Sequence, residues 1–135
     1  MNPAVRNASA FIAGFVALAA GKYVATKLGN AMIPPPAGVN LSTMDGFKAA
    51  IPLYEARQWI PVFFEHAVGS MVGGAVAALL AASHKMTLAL GIGALHMLGG
   101  LAAALMLPFP TWVVVSDLVV MYLPMAWIGG KLARA

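Results

Sequence analysis

The stretch WIPVFFEHAVGSMVGGAVAALLAA, from Trp59 to Ala82, decides how this chain is read. It is long enough to cross about 30 Å of hydrocarbon as a helix, and its only ionisable side chains are the adjacent pair Glu65 and His66. A charged group at the centre of a bilayer costs about 2.5 kcal/mol or more on insertion scales, so such residues face a bundle interior and mark a site. Two more interrupt later apolar stretches: His96 in the next and Asp117 in the last.

Composition agrees with a membrane setting. Of 135 residues, 61% are hydrophobic and 9% charged, and the mean hydropathy is +0.87; a soluble domain carries about 25% charged residues. The formal net charge of +4 does not imply a nucleic-acid partner, because the eight Lys and Arg stand singly at segment ends with no basic stripe. The chain has no cysteine, which excludes disulfides, thiolate metal sites and thiol catalysis.

Four spans are expected, at about 8–28, 58–82, 86–107 and 111–132, in a single all-α domain: an integral membrane four-helix bundle. Asn7 and Ser9 are candidate caps for the first span, and Gly29-Asn30 its stop. That span also has signal-peptide features, with Arg6, an apolar run from Ala10 and a cleavage-like Ala17-Leu18-Ala19. The apolar pattern continues through Tyr23-Val24-Ala25, so a retained span is expected.

The long loop, 30–57, leaves the first span through Ile33-Pro34-Pro35-Pro36, a stiff polyproline-like exit. Ser42-Thr43-Met44-Asp45 then resembles a capping box, and Met44, Phe47 and Ile51 share a helical face. These features predict a short interfacial helix around Thr43 to Ile51. Pro61 falls in the first turn of the second span, where a missing N–H is tolerated. The connectors Ser83-His84-Lys85 and Pro108-Phe109-Pro110 are short enough to make their helices antiparallel neighbours. Tyr23, Tyr54, Trp59, Phe109 and Trp112 are expected as an interfacial belt on the loop side, with Trp127 on the other.

Lys and Arg divide evenly between the two sides, but Lys22 lies within a span and drops out of the count, so both termini are expected to be cytoplasmic. Small residues mark packing seams: Gly69, Ser70 and Gly73 on the second span, Gly93 and Gly100 on the third, and Ala10, Gly14, Leu18 and Gly21 on the first. From the loop side, Asp117, Glu65, His66 and His96 lie at depths of roughly 9, 10, 12 and 16 Å. They can therefore form one intramembrane polar cluster.

Four readings of the cluster stay open. It could be a hydrogen-bonded lock holding the bundle in register, or a proton or cation pathway. His66, His96 and Asp117 could hold a divalent metal, or His66 and His96 could grip a haem. No His-x-x-x-His or Glu-x-x-His pair is present, so no cofactor is expected. Ser70 and Ser116 suit helix hydrogen bonding better than nucleophilic catalysis, so no enzyme activity is expected. Pro124 should kink the last span.

Ile33-Pro34-Pro35-Pro36, His66 with Gly69 and Gly73, Leu107-Pro108-x-Pro110-x-Trp112, and Asp117 followed by Tyr122-Leu123-Pro124-Met125-Ala126 together resemble small uncharacterised bacterial inner-membrane proteins. The resemblance implies a bacterial inner-membrane location and brings no activity, substrate or cofactor. The leading functional expectation is a structural or accessory component of a membrane assembly, in a homo-oligomer or larger complex within the lipid bilayer. The alternative is a proton- or cation-coupled transporter or channel component using Glu65, His66, His96 and Asp117. A cavity reaching the cluster would favour the alternative.

Overall fold

A computed structural model describes residues 1–134. Among them the chain is all-helical: α1 (Pro3–Met32), a short α2 (Met44–Ala50) in the first loop, α3 (Ile60–Leu80), α4 (Lys85–Met106), α5 (Thr111–Ser116) and α6 (Leu123–Arg134). Two 3-10 turns, Ile51–Leu53 and Ala56–Trp59, lead from α2 into α3, and a π turn, Asp117–Met121, joins α5 to α6. Four segments are long and apolar enough to cross a membrane: Pro3–Met32, Ala56–Leu80, Lys85–Met106 and Thr111–Arg134. The molecule is a small integral membrane helical bundle.

The first span is longer than its apolar run implied. Asn2 caps it, accepting from the Ala4 N–H at 2.8 Å, while Asn7 reaches across to the α3–α4 connector. There its Oδ1 accepts from the N–H groups of Ala82 and Ser83 at 2.9 and 3.2 Å. Gly29 does not stop α1; a Cβ there would lie 2.9 Å from Pro61 Cβ, so this glycine admits α3. The helix ends at Met32 because Pro34 disfavours helical geometry at Ile33.

α3 is the central helix, packed along α1 on one side and α6 on the other, with α4 lying across α3 and α6. α1 and α3 make the most extensive contact in the bundle. A Cβ on Gly14 would stand 2.8 Å from Gly73 O, and one on Gly73 2.9 Å from Gly14 O, so the two backbones touch. The opposite face of α3 meets α6 in the same way: a Cβ on Gly74 would lie 2.8 Å from Ala126 O. Gly93 of α4 likewise faces Ala126 and the Tyr122 carbonyl. Close backbone approach of this kind drives association where lipid supplies no hydrophobic contrast.

The short loop helix begins one residue later than the capping pattern suggested. Thr43 is its cap, accepting from the Gly46 N–H at 3.0 Å, while Ser42 donates to Asn40. One face of it is packed on the bundle. Phe47 packs against a buried cluster of Ile51, Trp59, Leu107 and Val113, with its ring 5.8 Å from Phe109. The loop and the 108–110 turn thus close the same end of the bundle. Trp59, expected in an interfacial belt, is 1% exposed because the loop folds over it and stacks Tyr54 on its ring.

Pro124 falls in the first turn of α6, and the irregularity precedes it. Proline lacks a donor and excludes the carbonyl four residues earlier, and the backbone opens into a π turn before resuming as α6. The wider turn, with its i to i+5 spacing, stacks Tyr122 over Asp117. In an α-helix these residues would point about 140° apart.

Candidate functional site

Glu65 and His66 come from the second turn of α3, His96 from the middle of α4, and Asp117 from the start of the π turn. The structure brings all four together. His66 Nδ1 lies 2.8 Å from Asp117 Oδ1 and 2.9 Å from Oδ2, while Nε2 faces Glu65 Oε1 at 3.5 Å. One imidazole therefore bridges two carboxylates. The His66 and His96 rings meet edge to face with centroids 5.4 Å apart.

Tyr122, which the sequence reading did not place in the cluster, completes the group. Fully buried, it donates its hydroxyl proton to Asp117 Oδ2 at 2.5 Å and stands 3.2 Å from His66 Nδ1. Gly100 makes room for that hydroxyl, since a Cβ on Gly100 would collide with it. Gly69 serves similarly. A Cβ there would sit 2.8 Å from Lys22 Cγ and 3.3 Å from His96 Cε1, so these two glycines shape the site rather than a helix–helix seam alone.

His96 bonds Ser70 Oγ through Nδ1 at 2.8 Å. Its Nε2 is buried with no hydrogen-bond partner among the described residues. Among those residues no group of three His, Asp or Glu side chains is placed to hold a metal ion. The Nδ1 atoms of both histidines are already engaged.

A cavity of about 450 Å³ adjoins the cluster, within the range of small-molecule sites. α1 contributes Lys22, Thr26 and Asn30 to its wall, and α4 contributes His96, Gly99, Gly100, Ala103 and Ala104. The loop supplies a roof of Leu41, Phe47 and Tyr54. Burial, followed by the Glu65 charge, raises the Tyr54 phenol above its ordinary value of 10.0, so the roof stays neutral. Glu65 and His66 keep 20% and 16% of their side-chain surface accessible, which puts the cluster within reach of the cavity.

The α1 residues were missed although a signal existed. Lys22, Thr26 and Asn30 recur at i, i+4 and i+8, a polar stripe along one face of a span. Taken singly, Lys22 is a charge within a span and Gly29-Asn30 a helix stop. Thr26 in fact hydrogen-bonds Glu65 Oε2 and also stands 2.8 Å from the Lys22 carbonyl.

Further from the loop the helices approach closely. Gly14, Gly73, Ala77 and Ile92 pack without a gap, and Gly129 lies directly on the Met71 carbonyl. The cavity thus lies toward the loop end of the bundle. Comparison with known proteins found no matching family model, no matching curated protein and no matching solved structure.

Proposed function

We propose that this protein is a proton- or cation-coupled transport component, taking up a proton from the loop side into the Glu65–His66–Asp117–Tyr122 chain. The observation that carries this reading is the vestibule meeting a series of proton-exchanging groups, with His66 Nε2 3.5 Å from Glu65 and Nδ1 hydrogen-bonded to Asp117. Each member has a partner both before and after transfer. As a carboxylate, Glu65 accepts from the Thr26 hydroxyl; as an acid it donates to Thr26 Oγ1, whose own proton turns to the Lys22 carbonyl. A proton reaching His66 Nε2 leaves Nδ1 free to release one to Asp117, and Tyr122 can reorient with it. Carboxylate–imidazole chains of this kind serve as relays in pumps and transporters.

The close helix contacts at Gly14, Gly73 and Gly129 favour an uptake arm over a pore. Release to the other side requires a second arrangement, and the π turn beside Asp117 is the irregular element nearest the chain. In a bacterial inner membrane with both termini cytoplasmic, the vestibule opens outward. The structural or accessory reading rested on small-residue seams available to a partner. With Gly14, Gly73, Gly74 and Gly93 occupied within one chain, those seams no longer support it, and a homo-oligomer or larger complex would have to use other faces.

The test is proton flux into vesicles reconstituted with the protein, purified in mild detergent with any subunits that remain bound. Wild type should acidify a dye-loaded lumen after an external acid pulse, and Glu65→Gln and Asp117→Asn should abolish the response while remaining monodisperse. Equal flux in wild type and both variants, or none above empty vesicles, refutes the proposal.

A further inference from the structure

The charges on the vestibule wall do not balance. Glu65 and Asp117 stand against a single ammonium, that of Lys22, which forms no ion pair among the described residues and whose stem lies over Gly69 on the His96 side. With both histidines neutral the wall carries one excess negative charge, a costly state within a membrane bundle. One added positive charge cancels it. A proton on the Glu65–His66 pair is one source, and a cation in the cavity is the other; the two compete, because the second to arrive meets a wall already neutralised. The groups that set this balance come from every element around the cavity: Lys22 of α1, Glu65 and His66 of α3, His96 of α4, Asp117 of the π turn, Tyr122 just after it, and Tyr54 of the loop.

The free acceptors decide what kind of cation fits. Both oxygens of Asp117 are engaged by His66 and Tyr122, and Oε2 of Glu65 by Thr26. Oε1 of Glu65 has only His66 Nε2 near it, at 3.5 Å, on a side chain that keeps 20% of its surface accessible. A metal ion or a primary ammonium asks for three or more acceptors, and among the described residues no group of three His, Asp or Glu side chains is placed to hold a metal. A cation of diffuse charge asks for one carboxylate and apolar surface around its body. The wall offers both: Phe47, Tyr54 and Phe109 bring aromatic rings, and Ala103, Ala104 and Val113 small apolar ones. Aromatic rings attract such cations. The Glu65 charge is felt at Tyr54, whose phenol is raised first by burial and then by that charge, so carboxylate and aromatic surface serve one space. Its volume, about 450 Å³, suits an organic body rather than a bare ion.

We propose that the vestibule binds a monovalent lipophilic organic cation, of the quaternary ammonium or phosphonium kind, beside Glu65 and in exchange for the proton held by the Glu65–His66 pair. This inference rests on the proton-uptake reading and names the cargo of the same site. As the cation enters, one proton leaves for the water on the loop side. The charge on the wall stays balanced throughout.

The probe is tetraphenylphosphonium, which carries no titratable proton, added by calorimetric titration to the protein in mild-detergent micelles against empty-micelle controls. Wild type should bind it saturably. At the acid end of the protein's stable range it should release about one proton per cation, read from titrations in two buffers of different ionisation enthalpy, and its affinity should rise with pH. Triphenylphosphine oxide, with similar rings and no net charge, should bind about 10-fold more weakly. Glu65→Gln should lose that preference. Should Glu65→Gln fail to fold, Lys22→Met carries the test: it keeps a stem over Gly69 and removes the opposing charge. At the alkaline end, where no proton competes, it should bind the cation about 3-fold more tightly or better. Equal binding of the two compounds by wild type, cation binding with no proton released at any pH, or unchanged affinity in Lys22→Met overturns the inference. Vesicle flux separates the two proposals. Glu65-dependent proton flux without charge-selective binding defeats this inference alone; charge-selective binding that releases a proton, without flux, defeats the transport reading alone.

Discussion

Replacing Tyr122 by Phe removes one hydroxyl from the centre of the cluster and leaves the ring in place. Tyr122 is fully buried and its hydroxyl donates to Asp117 at 2.5 Å. Neutral hydrogen bonds between transmembrane helices average about 0.6 kcal/mol, whereas bonds to a charged group contribute about 1.5–3 kcal/mol. The acceptor here is a carboxylate with 13% of its side chain exposed, which favours the larger figure. Vestibule water can partly replace the lost donor, since Asp117 lines the cavity. The expected destabilisation is therefore about 1–2 kcal/mol, a change of about 5–30-fold in the folded-to-unfolded ratio. SDS-driven unfolding in mixed micelles, followed by tryptophan fluorescence, measures it. A double-mutant cycle with Asp117→Asn isolates the pair and should give a coupling of at least about 0.5 kcal/mol. Wild-type stability for Tyr122→Phe, with no coupling in the cycle, would refute the claim that the Tyr122–Asp117 hydrogen bond stabilises the fold.

Gly73→Leu should destabilise the bundle by about 3 kcal/mol or more, the upper end for overpacking, because two of the walls it meets are Gly14 O at 2.9 Å and Leu18 Cβ at 2.8 Å. Loss of monodisperse protein in detergent checks it, with the exposed Val24→Leu as a control that should behave as wild type. Asn7→Ala should cost about 1–2 kcal/mol in the same unfolding assay, since it removes the side chain that accepts from Ala82 and Ser83.

Residue chemistry made some of this legible in advance. Apolar runs of spanning length fix helical structure in lipid, where every backbone donor must be met within the segment, so the four spans and their turns at Ser83-His84-Lys85 and Pro108-Phe109-Pro110 follow from the sequence. The expense of ionisable groups in hydrocarbon pointed to Glu65, His66, His96 and Asp117 one residue at a time. Pro61 announced a helix start through its missing donor, and Ser42-Thr43-Met44-Asp45 placed the loop helix to within one residue, both short-range effects.

Which groups touch was decided only by the tertiary structure. Pairing of His66 with Asp117 depends on how α3 meets the π turn, and Tyr122 joins them because that turn replaces 3.6-residue geometry, a change no periodicity of the apolar residues records. Gly29 looks locally like a helix stop and is in fact a contact surface, because its neighbour Pro61 is remote in sequence. The vestibule arises from three distant causes: the polar stripe of α1, the small residues of α4 and a loop that folds back over Trp59. Sequence determines what each segment can tolerate in a membrane. The empty space between segments, and the buried His96 nitrogen without a partner among the described residues, are properties of how the helices cross.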